Sequence, residues 1–154
     1  FGSGDRGTLV RREDELGRQI TTLCEKAPYE LREMGVDIDK MTKVRDALFA
    51  PRAYSAVRSM EMWHRHRNDL AGTQAVIAIM RYKQREGRFP DSLERLVEGG
   101  YISELPVDVY SGRSLVYRLT EKGFTLYSVG RNGADDGGRR AFDADDMMIW
   151  PMKP

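Results

Sequence analysis

Apolar residues recur at Leu9, Leu16, Ile20 and Leu23, at steps of seven, four and three, which puts them on one side of an α-helix. The spacing predicts a helix from about Thr8 to Cys24, ended or interrupted at Pro28. Met41, Val44 and Leu48 repeat the pattern behind Asp39, a residue suited to helix capping, and predict a second short helix that runs up to Pro51. From Arg52 to Gln84 the chain has no proline and one glycine, Gly72. One long helix, or two consecutive ones broken at Gly72, is therefore expected. Within it Leu70, Thr73, Val76, Ile77, Ile79 and Met80 cover about half the circumference and mark a core-facing side.

Glu86-Gly87-Arg88-Phe89-Pro90 stops the helical pattern, and Asp91-Ser92-Leu93-Glu94 reads as a capping box that opens a short helix to about Val97. After Gly99-Gly100 a loop runs through Leu105-Pro106-Val107-Asp108 to a turn at Ser111-Gly112. Leu115 to Leu119 and Phe124 to Val129, rich in β-branched and aromatic residues and joined by Glu121-Lys122-Gly123, predict an antiparallel hairpin. Met147 to Trp150 is a candidate final strand before Pro151, and the stretch ahead of it is a loop rich in glycine and aspartate. The elements together predict an α+β fold, a long helix packed on a small antiparallel sheet and preceded by a helical arm. The arm takes residues 1–51 and the α+β domain residues 52–154.

A chain of 154 residues is the size of one ordinary domain. Its 25 Lys and Arg against 24 Asp and Glu leave a net charge of +1, so no overall field draws it to nucleic acid or to an anionic membrane. Met60, Met62 and Trp63 beside Arg58, Arg65 and Arg67 have the composition of a basic aromatic patch, yet also the spacing of an ordinary packed helix. Nucleic acid is set aside on the charge balance. Cys24 is alone, which removes an intrachain disulfide and reads as a small buried hydrophobe. His64 and His66, at i and i+2, point to different sides of a helix; they read as a solvated face rather than a zinc pair. No Ser, Cys or Lys stands in a nucleophile motif, so an enzyme is not expected. No run of 18 apolar residues occurs, and the opening Phe1 is compatible with a membrane anchor or signal upstream.

One segment changes the picture. Asp135, Asp136, Asp143, Asp145 and Asp146 lie within 12 residues, alongside four glycines from Gly130 to Gly138. Such a loop is either an exposed acidic turn, its carboxylates paired with Arg139 and Arg140, or an oxygen-rich wrap for a hard cation.

From about Leu70 to the C-terminus the order of elements resembles the head of the type II secretion major pseudopilins. Tyr82 with Gly87-Arg88-Phe89-Pro90 is similar to that family's junction at the end of the long helix, with Phe89 in place of the usual Tyr. Leu93-Glu94-Arg95-Leu96-Val97, Tyr101-Ile102 and Leu105-Pro106-Val107-Asp108 resemble its next segment, with Val109 where Pro is usual. Gly112 to Tyr117, Tyr127-Ser128-Val129-Gly130, Gly133-Ala134-Asp135-Asp136-Gly137-Gly138 and Ala144-Asp145-Asp146 resemble the rest, with Arg131 to Gly133 as extra residues. The first 50 residues have no counterpart. The resemblance implies a structural assembly module in a periplasmic or other extracytoplasmic compartment, working through protein partners or self-assembly. It also implies a calcium site at Asp135 and Asp145, to which the composition of the loop adds Asp136 and Asp143. A soluble ligand- or protein-binding domain, and a hydrolase with an acidic site, are the alternatives.

Overall fold

A stretch whose one glycine is packed, and whose one proline falls in the first turn where no N–H partner is lost, folds as a single 37-residue helix, Ala50–Glu86. The computed structural model describes residues 6–36, 50–141 and 144–151. In chain order the described elements are α1 (Arg6–Glu25), α2 (Pro28–Glu33), α3 (Ala50–Glu86), α4 (Glu94–Glu98), β1 (Val116–Thr120), β2 (Gly123–Ser128), β3 (Arg140–Ala141), β4 (Ala144–Asp145) and β5 (Met147–Trp150). The helix expected over Met41 to Leu48 lies outside the described residues. The chain divides into two compact units, Phe1–His64 and Arg65–Pro154. The division falls inside α3.

In the first unit Pro28 occupies the opening of α2, and Glu30 reaches back to accept the Ala27 N–H at 2.7 Å. That bond, ahead of the charge of Lys26, holds the Glu30 carboxyl below its ordinary pKa. Leu31 of α2 is buried against Met60, with Val36 beside them. Val57, Met60 and His64 are all buried and recur at helical spacing. His64, at 2% exposure, is thus on the packed side of its helix, and only His66 is solvated as expected. Cys24 is exposed, not buried, because the polar run around it gives α1 little apolar cover there.

The second unit is an α+β fold: the helix packs on a three-stranded antiparallel sheet of order β1-β2-β5. β1 and β2 form the expected hairpin, with Thr120 opposite Gly123 and two residues between them. Phe124 and Leu126, alternate residues on one face of β2, meet Ala75, Ala78 and Ile79 of α3, with Leu93, Leu96 and Leu115 closing the core. β5 pairs with β2 through Leu126↔Trp150 and Tyr127↔Met148, which leaves Ile149 as a bulge residue. The bulge lets both Ile149 and Trp150 pack against the core.

Gly72 is not a break. It is buried inside α3, and a Cβ there would lie 2.5 Å from Ile149 Cδ1. The glycine is the notch into which the bulge residue fits. The core face of α3 follows small residues, Gly72, Ala75 and Ala78 with Ile79, because helix and sheet approach closely there. Leu70, Thr73 and Ile77, expected in the core, are exposed instead. The expected capping box does not form either: Leu93 stands at the start of α4 without a side-chain cap, and Asp91 pairs with Arg88 at 3.1 Å.

The Gly-Arg-Phe-Pro turn is fixed to the hairpin at two points. The Phe89 ring meets Phe124 edge-on at 5.3 Å, and the Tyr117 hydroxyl donates to the Pro90 carbonyl at 2.7 Å. Burial, with the charge of Asp91 adding to it, pushes the Tyr117 phenol up to about 12.

Candidate functional site

The stretch from Asp135 to Gly138, within the glycine- and aspartate-rich segment, lies over the sheet face opposite α3. Alternation along β2 decides this: Phe124 and Leu126 point into the core, so Tyr127 points the other way. The Tyr127 hydroxyl donates to Asp135 Oδ1 at 2.8 Å, and Arg118 of β1 donates to Asp135 Oδ2 at 2.8 Å. Gly137 N–H supplies a third bond to Asp135 at 2.9 Å. Burial alone would raise the pKa of this carboxyl, but the bonds from Gly137, Tyr127 and Arg118 outweigh it and hold Asp135 below the ordinary range. Burial and the Asp135 charge push the Tyr127 phenol up.

Asp136 turns to the other side of the loop. Its Oδ2 accepts from the Asn132 carboxamide at 2.8 Å and from Asp145 N–H at 3.1 Å, which holds its pKa low. Asp145 in turn accepts from Arg131 N–H at 2.7 Å. The two segments close up at Gly130, whose φ is +65° and whose Cβ, if present, would fall on the Asp145 carbonyl. Only glycine serves at such a position. Asp146 is 1% exposed; Oδ2 accepts from Gly138 N–H at 2.7 Å, while Oδ1 is buried and has no hydrogen-bond partner among the described residues. Burial, with the charges of Asp136 and Asp135 adding to it, pushes the Asp146 carboxyl up despite that bond.

Of the residues expected to ligate calcium, the Asp136 carboxylate meets the Asp145 backbone N–H, Asp135 pairs with Arg118 and Tyr127, and Asp143 lies outside the described residues. Among the described residues no three His, Cys, Asp or Glu side chains converge as a metal set. Asp135 carries three protein donors, two on Oδ1 and one on Oδ2. The open oxygen of Asp146 does fit a metal ligand: a buried carboxylate oxygen with no hydrogen-bond partner among the described residues can accept a cation. The expected pairing of the acidic loop with Arg139 takes another form. Asp135 uses Arg118, and the Arg139 Nε donates to the Asp136 carbonyl at 3.2 Å.

A second polar constellation, missed in the sequence, is fully buried. The Asn68 carboxamide donates to Asp108 Oδ1 and to Ser128 Oγ, each at 2.9 Å, and accepts from Val109 N–H at 2.9 Å. Asp108 also takes Tyr110 N–H, the Ser128 hydroxyl and Val129 N–H. Every partner is internal, so the cluster ties α3, the loop after Pro106 and the end of β2 together. Asp108 in Leu-Pro-Val-Asp was a signal; Asn68, within a polar run of helix, gave none.

No family model, curated protein or solved structure matches the chain.

Proposed function

We propose that the chain is a non-enzymatic assembly module of an extracytoplasmic compartment, and that its Arg65–Pro154 unit is a head of the type II secretion pseudopilin kind. One observation carries this reading. Segments on which the resemblance rests stand at tertiary joints: Phe89-Pro90 against Phe124 and Tyr117, Asp108 at the end of β2, and Gly130 against Asp145. Side chains at these joints are spent on holding the unit together, which is what a passive building block requires. Protease accessibility of the full-length gene product in intact spheroplasts, combined with in-cell cross-linking, tests the proposal. Digestion from outside and cross-linked species of higher mass are expected. A product confined to the cytosol, or one that never cross-links, defeats it.

The buried, unpartnered Oδ1 of Asp146 favours a second element of the same reading, a calcium ion that orders the loop. That open oxygen would serve as one ligand in the company of backbone carbonyls, the kind of oxygen set that calcium accepts. Calcium-dependent melting of the chain checks this.

A further inference from the structure

One side of α3 in the second unit is bare. Leu70 and Ile77, seven residues apart and therefore on the same helical face, are each 54% exposed, although the opposite face carries the core. Arg67, Gln74 and Arg81 complete the stripe at steps of three and four. Beside it the loop after Tyr101 raises a second apolar wall of Ile102, Leu105, Pro106 and Val107, the last 52% exposed. Between helix and wall runs a groove of about 670 Å³. Arg67 and Arg81 both line it, and neither makes a hydrogen bond or ion pair among the described residues.

We propose that this groove docks an amphipathic helix of another protein, one that lays apolar side chains on Leu70 and Ile77 and sets carboxylates against Arg67 and Arg81. Charge decides the occupant. A second copy laid on the same stripe, parallel or antiparallel, brings its own Arg67 and Arg81 against these two whenever the apolar pairs coincide. Like charges at both ends of a small contact disfavour that pairing, while a helix with acidic ends is drawn in. Fourteen helical positions separate the two arginines, about 21 Å, so the partner contributes about four turns. Glu104 on the facing wall adds a place for a basic residue of the partner. Helix-in-groove recognition with apolar anchors spaced three, four and seven residues apart is the mode that this geometry serves.

The inference deepens the assembly reading and rests on it for the claim that the ligand is a protein. The experiment uses the full chain and two synthetic helical peptides of about 18 residues. Both carry leucines at positions matching Leu70 and Ile77; one bears Glu and the other Lys at the two ends. Titrations followed by fluorescence anisotropy should show the Glu peptide binding at least about tenfold more tightly than the Lys peptide, and weakening as salt rises. Ile77→Asp should abolish binding of the Glu peptide. The double charge reversal Arg67→Glu with Arg81→Glu should transfer the preference to the Lys peptide. All three substitutions are on the surface, and unchanged melting confirms that the variants fold. Equal binding of the two peptides, binding of neither, or a preference unmoved by charge reversal overturns the proposal. So does self-association of the chain that Ile77→Asp abolishes, which assigns the groove to a second copy. Loss of the groove with the cross-linked species intact leaves the assembly reading standing; a cytosolic, uncross-linked product removes that reading whatever the peptides do.

Discussion

Asn68 and Asp108, forty residues apart in the chain, share a buried hydrogen bond of 2.9 Å in which the carboxamide donates and the carboxylate accepts. Asp108 also serves Ser128 and the N–H groups of Tyr110 and Val129, so Asp108→Ala strands four donors at once. A stranded buried donor costs about 1–3 kcal/mol, and the sum expected here is at least about 3 kcal/mol. Against a typical total stability of about 5–15 kcal/mol, that brings the second unit near unfolding. Ser128→Ala should cost about 1–2 kcal/mol. Urea denaturation of the variants measures both, and equal costs would contradict the central place given to Asp108.

Gly72→Ala sets two effects against each other. Alanine favours the helix by about 1 kcal/mol over glycine, yet its Cβ would lie 2.5 Å from Ile149 Cδ1 and 2.8 Å from Ile149 Cγ2. Overpacking of this kind costs about 1–3 kcal/mol, because Cγ2 sits too close to the backbone of β5 to swing away. Net destabilisation is expected, relieved in the double variant with Ile149→Ala. A double-mutant cycle with no coupling between the two positions would show that they do not touch.

Tyr117 sets a limit at alkaline pH. Its folded-state pKa, about 12, lies above the ordinary value of 10, so its contribution is complete below about pH 10 and is lost as pH rises through about 12. Tyr117→Phe removes both the bond to the Pro90 carbonyl and this pH dependence. Stability should therefore be lower for the variant at neutral pH, and the gap should narrow between about pH 10 and 12. A gap that is constant over this range refutes the assignment.

Calcium bears on the loop through Asp146. Calcium at about 100 times its dissociation constant adds about 2.7 kcal/mol to a native state that alone binds it, which is several degrees in melting temperature. Magnesium should do much less, since it gives up water reluctantly. Asp146→Asn should erase the response. Identical melting in EDTA and in calcium removes the metal from the reading and leaves Asp146 as a buried carboxyl held by Gly138 N–H.

Tyr127→Phe and Arg118→Ala separate the two side-chain partners of Asp135. The Arg118 pair is about half exposed and screened by solvent, so its loss should cost little. The Tyr127 hydroxyl is largely buried, and its removal should both cost more and raise hydrogen exchange across Gly130 to Gly138. The reverse order would show that the ion pair, not the phenol, closes the loop.

The hairpin, the final strand and the long helix were legible because β-branched residues, turn residues and the absence of interior proline speak locally. What the sequence hid was decided by contact. Apolar identity placed Leu70 and Ile77 in the core, whereas close approach of helix to sheet selected Gly72, Ala75 and Ala78 for that face and left the larger residues outside. His64 could not be read as buried from its Arg-rich neighbours, since packing in the first unit is settled by the spacing of Val57, Met60 and His64. In the acidic loop the cluster of carboxylates was plain, but their separate fates were not. Tyr127 and Arg118 lie on neighbouring strands, and only the hairpin register brings them to Asp135.

The sheet order β1-β2-β5 leaves two outer strands, and each is poorly suited to recruiting another. β1 is five residues long and carries Arg118; β5 is four residues long and is kinked by its bulge at Ile149. Short, charged and bulged borders discourage a foreign strand from adding on. Arg118 thus puts a charge on this border besides holding Asp135. With a β-branched residue in its place, next to the half-exposed Leu119, the border of β1 would become an adhesive one.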